Sequence, residues 1–519
     1  MAKELLGWVV ELEMEPPSLQ NNTADADRLK KALSGKIGAS HITIDLVVLK
    51  DLSTRLKEWG YRCRCVFFKN YGNWQLIDII ACDDPEPIAA IAVDLGTTRV
   101  VMDLIDLHTG KRVLQSAFDN PQFEIGPDIL ERIHFADKPG GLDRLNALII
   151  SAINDEIRRM CEETGIRKNR VYLMAVAGNT TMSHLFLGIS PHGIIREPYI
   201  PPTNTPGAIK ADALGIMIND KGSVFVFPNV GSYFGGDLIA GALHAGFHQS
   251  EAVSLLVDVG TNAEVLLGNR DWLVACAGAA GPALEGGVSE IGMTAGPGVI
   301  DTVTIDPDTR AFRIGTIEDK PPKGICGSGM IDLAAALFLS GMMDIRGRLV
   351  PDACGDRYRV IDGVATLVLV ERDVSDTGEA LTISQVDLNS LIRSKAAMYT
   401  ILETIMEYVG IGFADIETFY VAGTFGSFIK PRSAITIGMI PDLPEKTYSS
   451  LGNSSLKGAA RLLVERDAMD QVDAIRDRIT YIELNVNQDF MNRFSAAKFL
   501  PHTDAARFPS VPLISTQSL

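Results

Sequence analysis

The chain has 519 residues, 46% hydrophobic and 22% charged, with a formal net charge of −17. That balance belongs to a globular protein long enough for roughly three or four domains. The acidity argues against a nucleic-acid-binding surface, no apolar run reaches membrane-spanning length, and no basic-then-apolar leader opens the sequence, so a cytoplasmic protein is expected.

Residues 1–87 read as a small α/β domain. Trp8 to Met14 alternates as a strand does, and the turn-rich stretch from Pro16 to Thr23 leads to a helix from Asp25 to Leu33. A second helix is predicted from Asp45 to Trp59. Two strands follow, Tyr61 to Lys69 and Trp74 to Ala81, and Asp83 to Pro87 reads as a linker. Cys63 and Cys65 fall on one face of the first of these strands, because strand side chains repeat every second residue. The seven cysteines are scattered and include no Cys-x-x-Cys. Reduced thiols are expected, and no iron–sulfur cluster within this chain.

From Ile91 an apolar run ends in Asp94-Leu95-Gly96-Thr97-Thr98, and a second apolar run follows at once. This predicts two antiparallel strands joined by a tight turn. The turn offers backbone N–H groups and two hydroxyls to phosphate oxygens, and Asp94 offers a carboxylate to a hydrated Mg²⁺. A polar loop from Phe118 to Asp128 precedes a helix over Asp128 to Phe135. A longer helix spans Leu142 to Thr164, and a strand from Val171 to Val176 ends in Ala177-Gly178-Asn179-Thr180-Thr181. Tyr199 to Thr205 is proline-rich and irregular. A strand at Val224 to Pro228 leads to Gly235-Gly236-Asp237 and a helix. Asp237 either caps that helix or faces a cleft.

The turn recurs 164 residues later, as Asp258-Val259-Gly260-Thr261-Asn262, again between two apolar runs. A domain-sized spacing predicts two similar halves, 88–250 and 251–519, that face each other across a cleft with an acidic phosphate turn on each wall. Glycine-dense loops follow from Cys276 to Gly287 and from Gly292 to Gly298, then a hairpin over Val299 to Thr316. Gly327-Ser328-Gly329 opens a helix to Ser340, either as a nucleotide site or as a plain helix start. A long helix covers Val386 to Tyr408. Phe419 to Ser427 contains Gly423-Thr424-Phe425-Gly426, a third glycine turn. Gly452-Asn453 opens a further helix, and the tail ends in an aromatic, helix-like stretch. Glu264 and Glu285 are candidates for orienting an attacking water, or else are hydrogen-bonded structural carboxylates.

The ordered trio of turns resembles the sugar kinase, heat-shock chaperone and actin superfamily. That resemblance implies an α/β fold: duplicated ribonuclease H-like nucleotide-binding halves (an actin-like ATPase fold) preceded by a small α/β domain. In that superfamily the two acidic turns grip the β- and γ-phosphates of ATP and the third holds the adenosine. Further pieces lie in order: Pro17-Ser18-Leu19 with Asn22, Asn120-Pro121-Gln122, Gly178-Asn179-Thr180-Thr181-Met182, Ala280-Gly281-Pro282-Ala283, Gly324-Ile325-Cys326-Gly327 and Gly452-Asn453. Together they resemble the ATP-dependent reductive activators of corrinoid-dependent methyltransferases. The resemblance implies an ATPase that helps a low-potential electron convert Co(II) corrinoid protein to Co(I). It implies Asp94 and Asp258 on Mg²⁺ through waters, and Thr97, Thr98, Thr261 and Asn262 on phosphates. It also implies a corrinoid protein as partner, a separate or removed ferredoxin-type electron donor, and a homodimer among the assemblies. The chain departs from the family at Thr424, Ala263 and Leu284. A small-molecule kinase on the same fold, or a chaperone-like nucleotide-dependent binding module, is the alternative.

Overall fold

The structure is a computed structural model and describes residues 7–70, 72–259, 263–278, 289–423, 429–482 and 488–512. The chain divides into two compact units. One is Met1–His248 with Ser454–Arg478, the other Gln249–Asn453 with Ile479–Leu519.

The first unit opens with a four-stranded sheet of β1 (Val9–Glu13), β2 (Ile42–Ile44), β3 (Arg62–Asn70) and β4 (Asn73–Ala81), in the order β1-β3-β4-β2. Two helices, Asp25–Ile37 and Leu46–Glu58, turn Leu29, Leu33, Val48, Leu52 and Leu56 into its core, at the four-residue spacing of a helix face. Cys63 and Cys65 lie on one face of β3, their Sγ atoms 3.9 Å apart and both buried. The linker is tied down by ion pairs: Arg170 reaches Asp84 and Glu86, and Arg167 reaches Glu86.

Six strands form the main sheet of this unit: β5 (Ala89–Leu95), β6 (Arg99–Asp106), β7 (Arg112–Asp119), β8 (Val171–Gly178), β9 (Gly207–Lys210) and β10 (Ser223–Val226). Their order is β7-β6-β5-β8-β10-β9. β5 and β8 pair in parallel at the centre and are buried almost throughout, hence their near-continuous apolar sequences. The helix Gly141–Thr164 buries Leu145, Ile149, Ile153 and Ile157, one residue per turn, and ends at Gly165 with φ 72°. Helices Ser454–Val464 and Ala468–Arg478 belong here too. The first packs on helix Gly236–Ala245 and on β5, β6 and β8, and the Trp8 indole donates to the Leu462 carbonyl at 2.8 Å.

The second unit has its own six-stranded sheet. Its strands are β11 (Ser254–Val259), β12 (Ala263–Gly268), β13 (Leu273–Gly278), β20 (Thr418–Ala422), β21 (Tyr448–Gly452) and β22 (Ile479–Ile482), ordered β21-β20-β11-β12-β13-β22. Between them in sequence lie two small sheets, β14 (Val299–Ile305), β15 (Phe312–Thr316) and β16 (Gly324–Ile325), then β17 (Tyr358–Ile361), β18 (Val364–Val370) and β19 (Leu381–Ser384). Helix Gln385–Val409 starts at a capping box between Ser384 and Asp387.

The expected duplication is visible in strand order. With the edge strands β9 and β22 set aside and the rest numbered in chain order, β7-β6-β5-β8-β10 and β13-β12-β11-β20-β21 are both 3-2-1-4-5. Strands 1 to 3 are antiparallel and strand 4 joins strand 1 in parallel in both. The edge strands differ, β9 antiparallel on one sheet and β22 parallel on the other. Sequence reading missed β2, β9, β16, β21, β22 and the β17–β19 sheet; β2, β9, β16, β21 and β22 run only two to five residues, too short for a periodic signal. Among the described residues no helix is long and apolar enough to cross a membrane.

Candidate nucleotide-binding sites

In the first unit Asp94 stands at the end of β5, half-buried, with Val101 and Ala177 as its partners across the two neighbouring strands. The turn at Gly96 is as tight as glycine allows: a Cβ there would lie 2.3 Å from the Arg99 carbonyl oxygen. Three polar side chains hold the turn, two of them buried and Asn179 half-buried. Asn120 donates from Nδ2 to the Gly96 carbonyl at 3.0 Å, while its Oδ1 accepts from the Gln122 N–H. Arg132, fully buried, donates to the Thr97 carbonyl at 2.7 Å and to the Gly126 carbonyl at 2.8 Å. Burial pushes its pKa down to about 10, which leaves it charged at neutral pH. Asn179 donates to Thr97 Oγ1 at 3.0 Å, and its Oδ1 caps helix Thr180–Leu187 at the Met182 N–H. With their carbonyls and one hydroxyl tied back, the loop has a fixed shape and Thr98 stays exposed.

Asp237 answers the question the sequence left open. The N-cap of helix Gly236–Ala245 is Gly235, so Asp237 sits inside the first turn, where its Oδ1 accepts from the Leu238 N–H at 2.9 Å. Burial, and then the nearby charge of Asp94, pushes its pKa up to about 7. Gly235 permits this placement, since a Cβ on it would meet Asn179 Cα at 2.5 Å and Asp237 Oδ1 at 2.7 Å. Asp94 at the end of β5 and Asp237 in the first turn of the helix thus put two carboxylates near each other, oxygen donors of the kind a hard divalent cation takes. Asn120, Arg132 and Asn179 completed this site without being singled out in the sequence as its members, although Asn120 and Asn179 stand in two of the quoted motifs. Arg132 had no motif to mark it.

In the second unit Asp258 stands at the matching place on β11. It pairs in register with Glu264 on β12 and with Ala422 on β20. Two acidic residues directly opposite on an antiparallel pair repel each other, an arrangement that a bound cation or a proton would relieve. Gly423, at φ 79°, lies against this carboxylate: a Cβ there would lie 2.8 Å from Asp258 Oδ1. Gly260, Thr261, Asn262, Glu285, Thr424, Phe425 and Gly426 lie outside the described residues. Gly327 and Ser328 begin helix Gly327–Leu339 and are buried. The Ser328 hydroxyl contacts Cys326 Sγ at 3.1 Å, and Gly329 lets the helix approach the Ile300 carbonyl, 2.4 Å from where a Cβ would stand.

Paired 3-2-1-4-5 sheets, each with an aspartate ending its first strand, define a member of the actin-like, sugar-kinase-like class of nucleotide-binding folds. Family models agree along almost the whole chain. Residues 252–512 match the C-terminal ASKHA domain of RACo, residues 89–250 the RACo middle region, and residues 8–84 the RACo linker region. The chain belongs to the RACo family. It is 30% identical over 481 residues to the corrinoid activation enzyme RamQ of Eubacterium limosum, covering 91% of this chain and 79% of that one. It is 27% identical over 435 residues to the [Co(II) methylated amine-specific corrinoid protein] reductase of Methanosarcina barkeri, covering 78% and 75%. A solved reductive activator for a corrinoid, iron–sulfur protein superposes with a TM-score of 0.88 at 36% identity, over 98% of this chain and 82% of that one.

Proposed function

We propose that this protein is an ATPase that reductively activates a corrinoid protein, converting Co(II) to Co(I) in support of methyl transfer. The observation that carries this reading is the duplicated Asp-turn on two sheets of one strand order, in a chain whose relatives are named as corrinoid activators and reductases. Asp94 and Asp258 hold Mg²⁺ through waters, with Asp237 beside Asp94. The oxygen-only donor set suits that hard cation, which supplies charge neutralisation at the phosphates. The amides of Gly96 and Gly260, with Thr97, Thr98, Thr261 and Asn262, bind phosphate oxygens. Gly423, Thr424, Phe425 and Gly426, with Gly327 and Ser328, form the adenosine side. Glu264 or Glu285 orients the attacking water, and Asp237 can take up a proton near neutral pH because its carboxyl titrates at about 7.

The modular division is proposed as 1–87, 88–250 and 251–519, which the three matched family segments support. The electron comes from a ferredoxin-type donor, separate from this chain or removed from it, in the cytoplasm, and the cysteines are structural thiols; Cys63, Cys65, Cys161, Cys276, Cys326 and Cys354 are buried. Anaerobic iron and sulfide reconstitution should therefore leave the visible spectrum featureless, and a stoichiometric cluster band would revise the cysteine assignment. The test of the function is to mix the chain with ATP, a low-potential reductant and Co(II) corrinoid protein and follow the Co(I) absorbance. Co(I) should appear with ATP and not with ADP. Phosphorylation of a small molecule without Co(I) would transfer the fold to the kinase reading.

A further inference from the structure

Helices Gly236–Ala245 and Ser454–Val464 run the same way along β5. The first starts at the Asp94 end: a Cβ on Gly235 would lie 2.5 Å from Asn179 Cα, one residue beyond Gly178, which pairs with Leu95. The second finishes at the opposite end. There a Cβ on Gly7 would lie 3.6 Å from the Val464 carbonyl oxygen and 3.8 Å from that of Leu107, whose N–H donates to the Ile88 carbonyl just ahead of β5. The first turn of Ser454–Val464 therefore stands at the Asp94 end too. The two helices touch through backbone, since a Cβ on Gly458 would lie 2.0 Å from the Ala240 carbonyl oxygen. One turn on, Arg461 donates to the Leu243 carbonyl at 2.5 Å. Both contacts join positions 218 apart. One turn earlier, the same register sets Ser455 opposite Asp237.

Ser455 is only 6% exposed, and its hydroxyl meets no hydrogen-bond partner among the described residues. Buried hydroxyls are nearly always paired, so this one calls for an acceptor. Elsewhere in the chain buried helical hydroxyls return to the carbonyl four residues back, as Thr400 and Thr404 do at 2.7 Å. Ser455 stands in the first turn, where its own helix has no carbonyl four residues back. Its acceptor has to come from outside the helix. The face it shares with Gly458 packs on Gly236–Ala245, and the acidic side chain that the register brings there is Asp237. Asp237 already accepts from the Leu238 N–H at 2.9 Å, and a carboxylate has room for about four donors.

We propose that Ser455 is a positioning residue of the cation site, its hydroxyl donating to the Asp237 carboxylate when that carboxylate and Asp94 hold the hydrated cation. The inference rests on the reading of Asp94 and Asp237 as a cation site. A donor from the facing helix fixes how the carboxylate is turned, which leaves its other oxygen for the waters of the cation. A hydrogen bond to an ionised acceptor is also stronger than one between neutral groups. Chain order gives the contact a consequence. Ser454 is where the chain re-enters the first unit from the second, so the turn that feels the cation is continuous with that connection.

The test uses the full chain with Mn²⁺ as the probe, bound Mn²⁺ being counted by electron paramagnetic resonance. Ser455→Ala should weaken Mn²⁺ binding about tenfold, as the loss of one hydrogen bond to a charged group does. The metal-free variant should unfold at the same or a higher denaturant concentration than the native chain, because an unpaired buried hydroxyl has been removed. Ser455→Cys keeps the volume but has only a weak donor, and should lose affinity as the alanine variant does. In an Asp237→Ala background Ser455→Ala should bring no further loss, since it acts through the missing carboxylate. Native affinity in both Ser455 variants, an equal loss with and without the Asp237 carboxylate, or earlier unfolding of metal-free Ser455→Ala overturns the proposal and leaves the cation site standing. Native affinity in Asp237→Ala itself overturns the cation site, and the proposal with it.

Discussion

The carboxyl of Asp237, titrating at about 7 against an ordinary 3.8, makes the first unit sensitive to pH. Between those two values the folded protein holds more protons than the unfolded chain, so the stability of the cation-free protein falls as pH rises from about 4 to about 7. Asp237→Asn should remove that slope and stabilise the protein at pH 8 by more than about 1 kcal/mol, read from denaturant melts. The same proton competes with a cation. Mn²⁺ binding, followed by electron paramagnetic resonance, should strengthen as pH rises through 7 in the native chain and stay weak and flat in Asp237→Asn. A pH-independent Mn²⁺ affinity in the native chain would take Asp237 out of the cation site. In the second unit, Gly423→Ala must accept φ 79° and push on Asp258. It should cost about 1–2 kcal/mol of stability and weaken nucleotide binding. Equal nucleotide affinity in Gly423→Ala would separate that turn from the site.

At the scale of elements, the phosphate turn depends on its supports. Asn179 caps one helix and holds Thr97, so Asn179→Ala should lose about 1 kcal/mol of stability from the cap and, separately, weaken ATP binding. Asn179→Asp keeps the cap acceptor but loses the donor to Thr97, and should lose ATP affinity alone. ATP affinity unchanged from the native chain in both variants would make the contact structural only. The helix pair behind β5 gives a different kind of prediction. Gly458→Ala would drive a methyl into the Ala240 carbonyl, and separating the helices should cost about 1–3 kcal/mol in thermal or denaturant unfolding. The elements themselves were largely legible. The period-four leucines and isoleucines of Gly141–Thr164 and the apolar runs of β5, β6, β11 and β12 repeat at the spacing of their own secondary structure. The supports were not legible, because Asn120, Arg132 and Asn179 come from three places in sequence and meet only at Gly96 and Thr97.

For the whole molecule, the proposed coupling is between nucleotide state and partner affinity. A ligand shifts a conformational equilibrium only through its different affinities for the two states, and the effect is reciprocal. Titrating Co(II) corrinoid protein into the ATP-, ADP- and nucleotide-free forms should therefore give affinities that differ by a coupling of about 1–3 kcal/mol, with the ATPase stimulated by the partner. Asp258→Ala should abolish hydrolysis while retaining the fold. Identical partner affinity in all three states, with an ATPase that ignores the partner, would remove the activator reading.

Sequence alone determined the duplication and the acidic turns. Each Asp-x-Gly-Thr is a local device: a strand end, a glycine where the backbone doubles back, and hydroxyls beside it, all within five residues. It also determined the family, because the short motifs keep their order along the chain. Tertiary structure decided what those motifs rest on. It placed Asp237 beside Asp94 although 143 positions separate them. It returned helices Ser454–Val464 and Ala468–Arg478 to the first unit, where glycine at 458 admits a neighbouring carbonyl. Periodicity says which face of a helix is apolar, but which surface covers that face depends on the packing of the whole chain.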